Sequence, residues 1–173
     1  LTGHTGFKGS WLTFWLSEMG ARVSGYSLEP DTNPSLFRLL GLENSITSII
    51  GDIRNPEALR AAMIRDKPEV VFHLAAQPIV SVGYSDPSGT FSTNIMGTVN
   101  LLDVCKDIEN LCDTPMKILV VSSDKCYQND DSGRAFKVED PLGGKDPYSA
   151  SKAGTEIIVA AYQHSYFSRA GGN

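Results

Sequence analysis

The 173-residue sequence has no apolar run near the roughly 18 residues that a membrane-spanning helix needs, and no signal-peptide pattern is visible in it, so no membrane partner is expected. Cysteine is scarce: Cys105, Cys112 and Cys126 are the only three, an odd number without a Cys-x-x-Cys pair. That usage excludes a disulfide framework and fits a reducing, cytoplasmic compartment. Histidine is equally sparse, and His4, His73 and His164 lack metal-ligand spacing, so no metal site is expected. The 15 Lys and Arg form no basic stripe against 20 Asp and Glu, which argues against a nucleic-acid partner. Internal repeats and low-complexity tracts are absent too.

What is present is an alternation of strand and helix patterns at 41% apolar content, enough for the core of one domain spanning residues 1–173. A helix is expected from about Gly9 to Met19, closed by Gly20, followed by a strand over Arg22–Leu28. A second strand covers Ser45–Ile50, and a helix opened by Pro56 runs to Asp66, before Pro68. Val70–Ala75 reads as a buried strand, Thr90–Lys106 as a long helix, and Lys117–Ser122 as a third strong apolar strand. A polar loop, Gln128–Pro147, then leads into a helix from Tyr148 to about Phe167. This alternation predicts an α/β fold, a Rossmann-like doubly wound parallel sheet with helices on both faces.

Several short segments in this frame carry chemistry. Tyr148 and Lys152, four residues apart, share one face of the last helix. An ammonium near a phenol favours the phenolate, which can take a proton from a sugar hydroxyl; a solvated helix face gives the same spacing by accident. Gly3-His4-Thr5-Gly6-Phe7-Lys8-Gly9 leads into a helix, as a phosphate-cradling turn does, though a plain glycine turn looks alike. Asp52-Ile53 ends a strand, where a carboxylate can accept the amino group of adenine or can cap the helix after it. Leu74-Ala75-Ala76-Gln77 ends the next strand, with small residues that either leave room for a cofactor or pack tightly. His73 reads as a core or strand-end histidine.

Taken in order, these segments, with Asn94 in Asn94-Ile95-Met96-Gly97-Thr98 and with Ser122-Ser123-Asp124, resemble the extended short-chain dehydrogenase/reductase family, which acts on nucleotide sugars. The resemblance covers nearly the whole chain. A narrower likeness, to 4,6-dehydratases of the CDP-glucose type, rests on Gly3 through Leu12, Ser122-Ser123-Asp124-Lys125-Cys126-Tyr127 and Asp146-Pro147-Tyr148-Ser149. It implies oxidation of the sugar at C4, loss of water across C5 and C6, and return of the hydride to C6, in deoxysugar biosynthesis.

The resemblance implies NAD as cofactor, held by Gly3, Thr5, Gly6, Phe7, Lys8, Asp52, Ile53, Leu74, Ala75, Ala76, Gln77, Asn94, Tyr148 and Lys152. Tyr148 is the implied base at the C4 hydroxyl, with Lys152 supporting it and holding the nicotinamide ribose. Ser123 bonds the C4 oxygen, and Asp124 protonates the departing C6 hydroxyl, for which it must start neutral, as burial favours. Lys125 stands where the dTDP-glucose enzymes carry a glutamate as the C5 base; a lysine serves only when neutral, as a desolvated site beside Lys152 favours. A surface turn remains the alternative for Asp124-Lys125, and Cys126 reads as packing. The acidic residue that usually grips the adenosine ribose is replaced by Ser27, with Glu29 two residues on. No arginine follows in sequence to meet a 2′-phosphate, which favours NAD over NADP.

The family fold places its first strand mid-sheet, in the order 3-2-1-4-5-6, and no such strand precedes Gly3. The expectation is a sheet split between two unpaired central edges, in a chain that is part of a protein about twice as long. The substrate domain is likewise missing, and Arg169-Ala170-Gly171, within the polar stretch Ser168–Asn173, resembles the family's sixth strand without its apolar lead. The expected partners are a nucleotide-sugar substrate and a second copy of the chain, docked through the Thr90 and Tyr148 helices. The run Ile157-Ile158-Val159-Ala160-Ala161 suits either that contact or a core face. Two other readings stay open: a UDP-sugar 4-epimerase, against which Asp124 and Lys125 argue, and a dinucleotide-binding fragment without turnover.

Overall fold

The computed structural model describes residues 1–112 and 114–167, so the stretch around Arg169 lies outside the described residues. Two compact units emerge: Leu1–Ala75 with Asp103–Val121, and Ala76–Leu102 with the residues from Ser122 onward.

The first unit holds four parallel strands: β1 (Ser24–Ser27), β2 (Thr47–Ile50), β3 (Val70–His73) and β4 (Lys117–Val120). β1 pairs with β2, Ser24 opposite Thr47, and β3 pairs with β4, Val70 opposite Lys117. The expected split between the pairs is not complete. Thr2 bridges Tyr26 on one side and His73 on the other, both in parallel sense. Thr2 N donates to Phe72 O at 2.9 Å, Gly3 N to Tyr26 O at 3.0 Å, Tyr26 N to Leu1 O at 3.0 Å and Leu74 N to Thr2 O at 3.2 Å. Leu1–Gly3 therefore join the two pairs at their carboxyl ends, and beside Leu1 the gap is a groove of about 800 Å³ walled by Leu16, Val23 and Phe72.

Helices α1 (Phe7–Glu18), α2 (Leu36–Leu39) and α3 (Pro56–Asp66) lie in this unit. α1 starts two residues earlier than the glycine pattern suggests and buries only small residues, Gly9, Ser10 and Thr13. α3 buries Leu59 and Met63, one turn apart, among a core that includes Phe37, Leu42, Ile53 and Val71.

The second unit contains α4 (Val80–Ser85), α5 (Pro87–Phe91), a π turn at Ser92–Met96 and α7 (Pro147–Tyr162), which ends in another π turn over Gln163–Phe167. α6 (Gly97–Ile108) begins here and continues into the first unit, burying Leu101, Leu102, Val104, Cys105 and Ile108. The long helix expected from Thr90 starts three residues earlier, because Asp86 caps it ahead of Pro87. Asn55-Pro56, Asp86-Pro87 and Asp146-Pro147 are the same device: the Asx side chain accepts the amide three residues on, and proline fills the first helical position, where no N–H is needed. The loop after Tyr127 folds back on itself: Tyr127 bridges Leu142, and Gln128 N donates to Pro141 O at 2.8 Å.

Candidate active site

In the first unit the glycine turn closes through Gly6 N donating to Gly3 O at 3.2 Å, and α1 follows with no side chain capping its N-terminus. The first-turn amides at Phe7 and Lys8 therefore keep their donor capacity and the positive end of the helix dipole. Gly3 has φ +76, a left-handed backbone that a side chain strains, and a Cβ there would lie 2.7 Å from Ala75 N. A Cβ on Gly9 would overlap Gly3 O, so both positions require glycine for α1 to sit against the turn. An uncapped helix start behind a turn with no side chains suits a pyrophosphate.

Around this turn the structure gathers Thr5, Leu74 and Ala75. The Thr5 hydroxyl lies 2.8 Å from both Ser27 Oγ and Leu28 O, pinning the turn to the end of β1. Ala75 N donates to Thr2 Oγ1 at 3.2 Å, and the same hydroxyl meets His73 Nδ1 at 2.7 Å, so His73 is the buried strand-end histidine that was expected. Asp52 follows β2, with its carboxylate taken by Arg54, whose Nη2 is 2.6 Å away; that guanidinium holds the carboxyl below its ordinary value. Ile53 beside it is buried. At the β1 edge the fold brings up an arginine distant in sequence: Arg38 of α2 lies 3.7 Å from Glu29, both exposed.

In the second unit Asn94, in the π turn, is 2% exposed and works as a clamp. Its Oδ1 accepts from Gln77 N at 2.7 Å, and its Nδ2 donates to Gln77 O at 3.1 Å and to Ser151 Oγ at 2.8 Å. Asn94 O accepts from Thr98 Oγ1 at 2.7 Å and from Thr155 Oγ1 at 3.1 Å. Ala76 leads into this clamp half-buried. The face of α7 that meets it carries Ser151, Lys152 and Thr155; Tyr148 and Lys152 are 8% and 7% exposed. A lysine this buried on a helix is rare unless it is paired, and this one has interactions with its surroundings.

Ser123 caps a tight 3-10 turn over Asp124–Cys126 that packs on α7. Ser123 Oγ accepts from Lys125 N at 3.2 Å and donates to Asp124 Oδ1 at 3.1 Å. The burial expected around Asp124 and Lys125 is not there: both side chains are exposed. They line a cavity of about 190 Å³ together with Asp146 and Ser149. Cys126 is buried, in keeping with a packing role.

Parallel β–α units entered through a glycine turn, with a serine after the strand that precedes a Tyr-x-x-x-Lys helix, define a Rossmann-like fold of the extended short-chain dehydrogenase/reductase class. The chain belongs, within that class, to the GDP-mannose 4,6-dehydratase family, which matches residues 1–170. It is 48% identical over 170 residues to a CDP-glucose 4,6-dehydratase of Salmonella typhimurium, covering 98% of this chain and 46% of that protein. Two solved structures superpose well. A Thermus thermophilus UDP-glucose 4-epimerase complexed with NAD gives a TM-score of 0.82 at 28% identity, covering 96% of this chain and 50% of that one. A Bacillus anthracis dTDP-glucose 4,6-dehydratase complexed with NAD gives 0.75 at 25%, with the same coverage. The chain thus spans about half the length of these relatives.

Sequence reasoning missed three contributors. Ser151 and Thr155 escaped notice because a serine or threonine on a helix gives no signal until the π turn opposite is known. Asp146 was recognisable from the Asp-Pro start, the same pattern that marks the Thr90 helix.

Proposed function

We propose that this chain is the cofactor-binding part of a nucleotide-sugar 4,6-dehydratase that converts CDP-glucose to its 4-keto-6-deoxy product with NAD. The observation that carries the reading is the Ser123-Asp124-Lys125 turn packed on the helix of Tyr148 and Lys152, beside a cavity. NAD, when bound, supplies the hydride acceptor and later the hydride. The uncapped α1 start with Gly3, Thr5, Gly6, Phe7 and Lys8 suits its pyrophosphate, Asp52 and Ile53 its adenine, and Gln77 and Asn94 the neighbourhood of its nicotinamide.

In this reading Tyr148 takes the proton from the C4 hydroxyl, with Lys152 one helical turn further along the same helix. Ser123 hydrogen-bonds the C4 oxygen. Asp124 gives a proton to the C6 hydroxyl as it leaves, and Lys125 takes the proton from C5, roles that require the carboxylic acid and the free amine in the complex with substrate. Oxidation needs only the first three groups; water loss needs an acid and a base besides, so Asp124 and Lys125 favour dehydration over 4-epimerisation. The test is to incubate the complete protein with CDP-glucose and NAD and to follow the 4-keto sugar by its absorbance in base. Turnover of UDP-galactose without any 4-keto product from CDP-glucose would overturn the reading in favour of an epimerase.

A further inference from the structure

Helix α1 has its large and small residues reversed. A surface helix ordinarily turns its bulky apolar side chains to the core, yet α1 buries Gly9, Ser10 and Thr13. Its largest residues face away: Phe7 is 71% exposed, Trp11 49%, Trp15 64% and Met19 69%. They follow one another at intervals of four, so they form one ridge along one side of the helix. Contact with the glycine turn requires a glycine at position 9, but it does not call for two tryptophans on the outer side. Trp11 is also held in place, edge-on to Phe14 with ring centroids 6.4 Å apart. At about 200 to 250 Å² for each whole side chain, the ridge leaves roughly 550 Å² of apolar surface in water. That is the upper end of what monomeric proteins carry as one patch, and such patches mark interaction sites.

The ridge is complementary to itself. When a second α1 is related to the first by a two-fold axis at the level of Thr13, the helices run antiparallel. Phe7 then meets Met19, Trp11 meets Trp15 and Lys8 meets Glu18. Lys8 and Glu18 are both exposed, and neither forms an ion pair among the described residues. Two such ridges together cover about 1,100 Å², above the roughly 1,000 Å² expected of a specific interface. We propose that the outer face of α1 is a two-fold interface for a second copy of this chain, with the tryptophans at its centre and the Lys8–Glu18 pairs at its rim. Phe7 and Lys8 give their side chains to this surface and keep their amides for the turn. The interface lies in the first unit, whereas the Thr90 and Tyr148 helices belong largely to the second.

Sedimentation velocity of the complete protein tests this surface. Trp15→Glu sets a carboxylate in the centre of the ridge and should halve the mass of the wild-type assembly, whatever other contacts the protein makes, with an unchanged circular dichroism spectrum. Glu18→Lys, which opposes lysine to lysine and needs no change in the apolar ridge, should weaken self-association about tenfold, and adding Lys8→Glu should restore it. Copies carrying Phe7→Cys, oxidised together with copies carrying Met19→Cys, should be joined by a disulfide that neither forms alone, since like positions lie about 18 Å apart in the antiparallel pair. Cross-linking of Phe7→Cys with itself would overturn the antiparallel arrangement. Wild-type mass in both Trp15→Glu and Glu18→Lys would overturn the interface. Iodide quenching of the emission lost in a Trp11→Phe, Trp15→Phe double variant then separates the remaining occupants: protected tryptophans mean that another part of the same polypeptide covers the ridge, and quenched ones mean that it stands open to a different protein.

Discussion

His4, inside the glycine turn, makes acid a specific threat to this fold. Its side chain is 0% exposed, Nε2 lies 2.7 Å from Ser48 Oγ, and the ring meets Phe37 edge-on at 5.2 Å. Burial pulls its pKa from 6.5 to about 4, against a smaller opposing effect of the Tyr26 backbone. The folded value lies below the unfolded one, so the unfolded chain binds the proton more readily. The contribution is complete above pH 6.5 and is lost as pH falls from 6.5 to 4. At about 1.4 kcal/mol per pKa unit the whole interval amounts to about 3 kcal/mol, of which about 2.5 is gone by pH 4.5. Asp52 and Asp66, held low chiefly by Arg54 and Arg65, lose theirs only below their ordinary 3.8, outside this window. Urea unfolding at pH 7.5 and 4.5 should therefore show about 2.5 kcal/mol less pH dependence in His4→Gln, whose amide nitrogen can still reach Ser48, than in the wild type. Identical pH dependence in the two proteins, or an imidazole titrating near 6.5 by NMR in the folded state, would refute the reasoning.

Two further predictions concern the cofactor turn and the clamp. Gly9→Ala should cost about 2 to 3 kcal/mol, because the new methyl overlaps Gly3 O in a turn already held from both sides, and NAD affinity should fall with it; thermal melts and a fluorescence titration with NAD measure the two effects. Asn94→Ala should cost about 3 kcal/mol by leaving the Gln77 amide and carbonyl without their partner, seen as a lower melting temperature and faster hydrogen exchange at Gln77.

Local chemistry wrote much of the fold into the sequence. The helix over Pro56–Asp66 was readable to the residue, since Asn55 caps it, Pro56 occupies its first position and Lys67 turns left-handed at its end. The strands were found but overextended: Arg22–Leu28 became Ser24–Ser27 and Val70–Ala75 became Val70–His73, because a ladder extends only as far as its neighbour pairs, and apolar character does not report that. α4 was missed because Val80–Ser85 has no side-chain cap and holds a glycine at its centre. At the site, the Tyr148–Lys152 face could be read from helical spacing. The exposure of Asp124 could not, since it depends on what the 3-10 turn packs against in three dimensions, which no local pattern encodes. Asn94 was identified by resemblance alone; its grip on Gln77 and Ser151 spans 17 and 57 residues of sequence and emerges only in three dimensions.

The three residues Leu1–Gly3 are both the seam of the sheet and the threshold of the glycine turn. The hydrogen bonds that tie β1 to β3 end at Gly3, and the turn that suits a pyrophosphate starts there. Stiffness is thus shared: whatever immobilises Gly3 through Gly6 also steadies the hydrogen bonds that Leu1–Gly3 make to Tyr26, Phe72 and Leu74. A ligand on that turn acts as a staple for the sheet, and the energy with which it is held is energy added to the unit's cohesion.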